Sequence, residues 1–388
     1  MNIKIKRVVF LTLSPLSERD YSRFGIKILE DNNFDVQVIY IGNLVYGVKN
    51  NSSFSTIVKS VNSYSQFEQM ILNLGDNSIF VKLFGLSSQM VKIDWILSKL
   101  DVSIVRISLN SIPLTMEEVN FFKKVKSLFR GSLIRKIVFL YYIKILKIKI
   151  DKYMMLGGVK SDKTRDPSIV KIWTHALDYD IFLEQNRVLN RDKNSGFCLY
   201  LDEYIPYHPD FKKIGIDKKY SAIADSYYQK MNSFFDKIEK AYNLKVIIAA
   251  HPRAEYNKLG DVWNGRKIIF GKSIELVKDS DFCMMHASTS INFAILYKKP
   301  ILFLSLKELE PLYGSFIDSF SKEVANSKIF IDDEFDKKHI DNSLIIDDNM
   351  YDKYKENYIK KSGTPEKNSW QIFADFIKRE NGEIENVQ

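Results

Sequence analysis

Val246–Ala250 (VIIAA) is an unbroken apolar run that stops at once in His251-Pro252. A strand with one wet face alternates apolar and polar residues. An unbroken run this short belongs to a strand covered on both faces, as in a parallel sheet packed between helices. The second half repeats the pattern at Gly196–Leu201, Lys267–Phe270, Phe282–Met285, Ile301–Leu304 and Lys328–Ile331. The first half offers further strand candidates at Arg7–Leu13, Val36–Ile41, Ser78–Phe84 and Val102–Leu109. The stretches between are long enough for crossover helices, which close right-handed over a parallel sheet. One of them, Lys218–Asn243, carries Tyr220, Ile223, Ala224, Tyr227, Met231, Phe234, Phe235 and Ile238 at helical spacing. The expected class is α/β, with two Rossmann-like parallel-sheet domains in tandem.

The domains are expected at residues 1–190 and 195–345, joined by the polar segment around 186–195. A charged tail, 346–388, has an apolar helix face of Trp370, Ile372, Phe373 and Phe376, and is expected to cross back toward the first domain. A length of 388 residues suits two domains. With 45% hydrophobic and 27% charged residues, the composition excludes disorder. Two cysteines, Cys198 and Cys283, exclude a disulfide framework and fit a reduced, cytoplasmic setting. The formal charge of +9 does not point to nucleic acid, because acidic residues interleave with basic ones outside 122–149 and no nucleic-acid-binding motif is present. It is assigned instead to anionic donors and lipids. No stretch reaches the roughly 18 uncharged apolar residues of a membrane span. Residues 122–149 are amphipathic and basic, which suits either a partly buried helix or peripheral contact with the anionic inner face of a membrane. The run at Arg7–Leu13 is too short for a signal peptide and reads as the first buried strand.

Four of the five histidines lie in suggestive contexts: His175 in THALDYD, His208 in YHPD, His251 in AAHPR and His286 in MMHASTS. His251 falls at the carboxyl end of a buried strand, where ligands of open parallel sheets collect. Pro252 is expected to start a helix there, which with Arg253 favours a phosphate. Ser288-Thr289-Ser290 follows another such strand and precedes apolar INFAILY; hydroxyls and free N–H groups at a helix start bind phosphate oxygens or simply cap the helix. Asp202-Glu203 end the strand before, and Asp178 and Asp180 flank Tyr179. Any of these carboxylates has the chemistry to deprotonate an attacking hydroxyl, and Asp178-Tyr179-Asp180 also has the D-x-D form of a metal–nucleotide site.

LYLDEY, AAHPR and HASTS, in that order in a two-Rossmann chain, resemble the bacterial sialyltransferases and related transferases of nonulosonic acids (sialic, pseudaminic, legionaminic acid) and Kdo. Those families carry a (D/E)(D/E)G motif, an HP motif and a serine/threonine motif; this chain has Tyr204 where they have glycine. The resemblance implies a GT-B fold, its two domains facing across a cleft, and transfer from a CMP-activated donor to a glycan acceptor of bacterial surface polysaccharide or lipooligosaccharide. It implies no cofactor and no metal, since a single phosphate leaves. It makes Asp202 the base, with Glu203, Asp178 and Asp180 as alternatives, and His251 the partner of the leaving phosphate. Donor contacts fall to Pro252, Arg253, Glu255, His286, Ser288, Thr289 and Ser290, and the acceptor side to His208, Ser14, Arg19 and Arg23. The alternatives are a GT-B enzyme using a UDP- or GDP-sugar, or a nucleotide-sugar 2-epimerase. A diphosphate-binding glycine loop is poorly represented, Gly157-Gly158 being the one Gly-Gly pair.

Overall fold

A computed structural model describes residues 4–85, 87, 89–113, 145, 148, 151–164, 166–186 and 196–385. The chain divides into two compact units. One comprises Met1–Ser111, the described residues up to Leu183, and everything from Ile359; the other is chiefly Glu184–Tyr358. All of the basic segment 122–149 except residues 145 and 148, and most of the polar junction 186–195, lie outside the described residues.

The first unit holds β1 (Arg7–Thr12), β2 (Asp35–Tyr40), β3 (Val58–Ser60), β4 (Ser78–Lys82), β5 (Ser103–Ser108), β6 (Tyr153–Leu156) and β7 (Val170–Trp173). They form a parallel sheet in the order β3-β2-β1-β4-β5-β6-β7. Alternate residues feed two cores. Val8, Phe10, Val36, Val38, Ile79 and Val81 face one side, and Val9, Leu11, Ile39 and Phe80 the other. Burial on both faces explains the unbroken apolar runs.

The helix Ser369–Glu380 completes the first of these cores with Trp370, Phe373, Ala374 and Ile377. Trp370 packs edge-on against Phe10 at 5.3 Å, and its indole N–H donates to the Arg23 carbonyl at 2.8 Å. Gly25 makes room for it: φ is +55°, and a Cβ there would lie 2.3 Å from the Trp370 ring. The start of this helix is held by the THALDYD segment. Asp180 accepts from the Ser369 N–H at 2.8 Å, while His175 donates through Nε2 to the Lys367 carbonyl at 2.7 Å and accepts the Ser369 hydroxyl at Nδ1.

The second unit holds β8 (Phe197–Leu201), β9 (Lys245–Ala250), β10 (Ile268–Phe270), β11 (Cys283–Met285), β12 (Ile301–Ser305) and β13 (Lys328–Phe330). They too are parallel, in the order β10-β9-β8-β11-β12-β13. In both sheets the order reverses beside the first strand, leaving a crevice at the carboxyl ends where the crossovers part to opposite faces. The second unit's crevice lies between β8 and β11.

Two expectations change. The long helix expected over Lys218–Asn243 is two, Asp217–Ser221 and Ala224–Tyr242. The sheet of the first unit also has three strands, β3, β6 and β7, that the apolar runs do not mark. Among the described residues, no helix is long and apolar enough to cross a membrane.

Candidate functional site

Three loops leave the carboxyl ends of β9, β8 and β11, which are neighbours in that order. Strands about 4.8 Å apart put the ends of β9 and β11 about 10 Å from each other, with β8 between. The His251, Asp202-Glu203 and His286–Ser290 segments are therefore brought together at and beside the crevice.

His251 is half-buried. Its Nδ1 accepts the Arg253 N–H at 3.2 Å, so the proton of the neutral ring sits on Nε2, which has no hydrogen-bond partner among the described residues. Burial, reinforced by His208 and Arg253, pulls its pKa down to about 4, and the ring is a neutral N–H donor at pH 7. Pro252 starts no α-helix here, contrary to the expectation. The chain makes a tight turn, with the Ala254 N–H on the His251 carbonyl, then the 3-10 turn Tyr256–Lys258. The positive end of a helix dipole is absent from this position.

A second His-Pro pair faces the first. His208 accepts the Asp210 N–H at Nδ1, 3.2 Å away, and here the proline does begin a helix, Pro209–Ile214. The two imidazoles meet edge-to-face at 4.9 Å. Arg253 forms a bidentate pair with Asp210 at 2.9 and 3.0 Å. His208, expected on the acceptor side, is thus next to the donor candidate His251. Arg253, expected on a phosphate, is occupied by Asp210. Glu255 is exposed and paired with Lys258 at 2.6 Å.

After β11, His286 is fully buried. Nδ1–H donates to the Leu304 carbonyl at 2.6 Å and Nε2 accepts from Tyr227, whose hydroxyl also meets that of Tyr200 at 2.7 Å. Burial pulls its pKa to about 4. Both ring nitrogens are occupied, so the expected donor contact does not come from this ring. Ser288 is buried, Thr289 exposed, and Ser290 opens the helix Ile291–Leu296 with its N–H on the Ser288 hydroxyl at 3.3 Å.

Asp202 and Glu203 are not the water-facing pair a base requires. Asp202 is 5% exposed; one oxygen accepts the Tyr204 N–H at 2.8 Å, the other the Tyr256 hydroxyl at 2.6 Å and the His251 N–H at 3.4 Å. Glu203 is 9% exposed and accepts the Ala287 N–H at 2.5 Å and the His286 N–H at 3.3 Å. Burial raises Asp202 to about 6 and Glu203 to about 8, the latter with help from Asp202's charge. Tyr204 has φ +55°, the left-handed conformation glycine adopts freely and a bulky residue rarely does. It stands where the motif has glycine, in a backbone state that glycine adopts freely.

The remaining candidates lie in the first unit. Asp180 is buried and spent on the C-terminal helix; Asp178 is half-exposed. Ser14, Arg19 and Arg23 are exposed, Ser14 just past the carboxyl end of β1 and the arginines on the helix Glu18–Arg23. Gly157 supplies close packing: a Cβ would lie 2.3 Å from the Leu109 carbonyl oxygen. Asp210 and Tyr256 were not singled out from the sequence. The second His-Pro pair, at 208–209, is a signal that finds Asp210, and nothing local marks Tyr256.

No protein-family model matches the sequence, and no curated protein does. Solved structures do match over nearly the whole chain. Staphylococcus aureus MnaA, solved with UDP, aligns at TM-score 0.50 and 14% identity over 98% of both chains. The wall teichoic acid polymerase TagF (H548A) aligns at TM-score 0.50 and 13% identity over 98% of this chain and 90% of the other. The UDP-GlcNAc 2-epimerase of Methanocaldococcus jannaschii aligns at TM-score 0.46 and 13% identity over 96% of this chain and 99% of the other. With its two parallel-sheet α/β units and the matches to MnaA and TagF, the chain has the GT-B fold.

Proposed function

We propose that the chain is a glycosyltransferase that binds a nucleotide-activated sugar at the carboxyl end of its second sheet. In its sharper form, the proposal is transfer of a nonulosonic acid from a CMP-activated donor to a glycan acceptor. The observation that carries it is the orientation of His251, whose ring proton is placed on an unpartnered Nε2 at the end of β9, one strand from the crevice.

In the reaction, an acceptor hydroxyl attacks the anomeric carbon, the bond from that carbon to the phosphate oxygen breaks, and the nucleotide leaves as a phosphate monoester. His251 is neutral, so it acts by hydrogen-bonding the charge that develops on the leaving phosphate rather than by carrying a spare proton. The Ser288–Ser290 hydroxyls and backbone supply further donors. Freed from Asp210 by a competing anion, Arg253 adds a charged one. Asp202 and Glu203, whose carboxylate oxygens all accept from the protein, are not the base in this reading. No metal is assigned a role, and turnover is expected to survive EDTA.

A second reading, a UDP- or GDP-sugar enzyme or a 2-epimerase, draws on the fold shared with S. aureus MnaA, which was solved with UDP. Calorimetric titration with CMP, UDP and GDP separates the two. Binding of CMP alone supports the sharper proposal; binding of UDP without CMP replaces it with the second reading.

A further inference from the structure

Neighbouring carboxylates buried at the mouth of a candidate site invite the reading of a catalytic pair. Raised pKa values near neutrality, taken alone, would support it. The hydrogen bonds point elsewhere. A general base needs an oxygen within hydrogen-bond reach of the substrate proton, and every carboxylate oxygen of Asp202 and Glu203 already accepts from the protein.

The partners divide by direction. β8 is the central strand, with β9 on one side and β11 on the other. Asp202 turns toward β9, where it takes the Tyr256 hydroxyl and the His251 N–H. Glu203 turns toward β11, where it takes the Ala287 and His286 N–H groups, immediately before Ser288. Both residues lie just past Leu201, the last residue of β8, and their hydrogen bonds reach the loops that follow the two neighbouring strands. The left-handed turn at Tyr204, closed by its N–H on Asp202, ends the strand and keeps both carboxylates at this level.

We propose that Asp202 and Glu203 are positioning residues, one gripping the His251–Tyr256 turn and the other the His286–Ser290 loop, so that the phosphate-binding groups of both loops are held at a fixed spacing. This rests on the donor reading above and changes the part these carboxylates play in it. The grip on the β9 side runs mainly through Tyr256, since the His251 N–H is long at 3.4 Å. Tyr256, itself buried, therefore belongs to the device.

The test uses the full-length chain, with CMP and UDP as probes. Variants are Asp202→Asn, Glu203→Gln and Tyr256→Phe, the last breaking the Asp202 grip while leaving the carboxylate in place. Nucleotide affinity is measured by calorimetry, and backbone hydrogen exchange is followed on the free protein. Glu203→Gln is expected to speed exchange at His286 and Ala287 while residues 251–256 keep their protection. Asp202→Asn and Tyr256→Phe are expected to do the reverse. Each is expected to weaken binding of whichever nucleotide the wild type takes by about tenfold, the scale of one lost hydrogen bond. Slow exchange retained in the strands of both sheets shows that the variants are folded. Variants that bind nucleotide as the wild type does, or exchange that rises equally in both loops, overturn the inference alone. A wild type that binds neither nucleotide overturns the donor reading, and this role with it.

Discussion

His251 and Glu203 show how far burial can move a group when a strand end is packed under two loops. Replacing His251 by Ala removes the Nε2–H donor, and kcat is expected to fall by about 10² or more, the cost of losing a partner of the developing charge. Nucleotide affinity should fall less, because donors on the Ser288–Ser290 loop remain. Steady-state kinetics with calorimetry would show this, and equal losses in the two would make His251 a ground-state ligand only. Glu203 offers a test that needs no substrate. Its pKa rises from 4.5 to about 8 on folding, so between these values the folded chain keeps a proton that the unfolded chain releases. Stability contributed by that proton is fully present below about pH 4.5 and is lost as pH rises through 8. Gln at this position has no such proton. Urea midpoints of wild type and Glu203→Gln, taken from pH 5 to 9, are expected to differ least favourably for the wild type above pH 8; parallel curves would mean the carboxyl is not held protonated.

At the scale of elements, Trp370→Ala is expected to cost about 3–5 kcal/mol, since it empties a site in the core of the first unit. Gly25→Ala should destabilise as well, through the positive φ and the clash with the same ring. Thermal denaturation checks both, and a neutral Gly25→Ala would contradict the close approach. The apolar face of this helix was legible because Trp370, Ile372, Phe373 and Phe376 recur at helical spacing. The interior strands were legible because a strand covered on both faces is apolar throughout. The edge strands β3 and β7 were not: Lys59 is exposed, as are Val170 and Lys171, so neither makes an apolar run. β6, read as YMML, relies on methionines with little strand preference of their own. At the site, the sequence located the strand-end segments but not the work done there. Whether Asp202 meets water or Tyr256 depends on which strands flank β8, and that is settled by long-range order in the sheet. The left-handed state of Tyr204 and the missing helix after Pro252 are likewise invisible to local pattern.

On the scale of the molecule, the two units are not consecutive blocks of sequence. The first is finished only by the chain from Ile359 onward, whereas the second contains every residue of the β8–β9–β11 site. Stability of the first unit and nucleotide binding by the second are therefore separable. Ending the chain after Tyr358 removes Trp370, Phe373, Ala374 and Ile377 from the first unit's core, together with the partners of His175 and Asp180. The truncated chain is expected to present the first unit to limited proteolysis while residues 196–358 resist it. Calorimetry on the same sample should still detect CMP or UDP, whichever the intact chain binds, with affinity changed by less than about tenfold because the loops that hold the phosphate and the carboxylates that hold the loops are all retained. If residues 196–358 stay resistant and nucleotide binding is nonetheless abolished, the phosphate site is not contained in the second unit, and its assignment to His251 and Ser288–Ser290 fails.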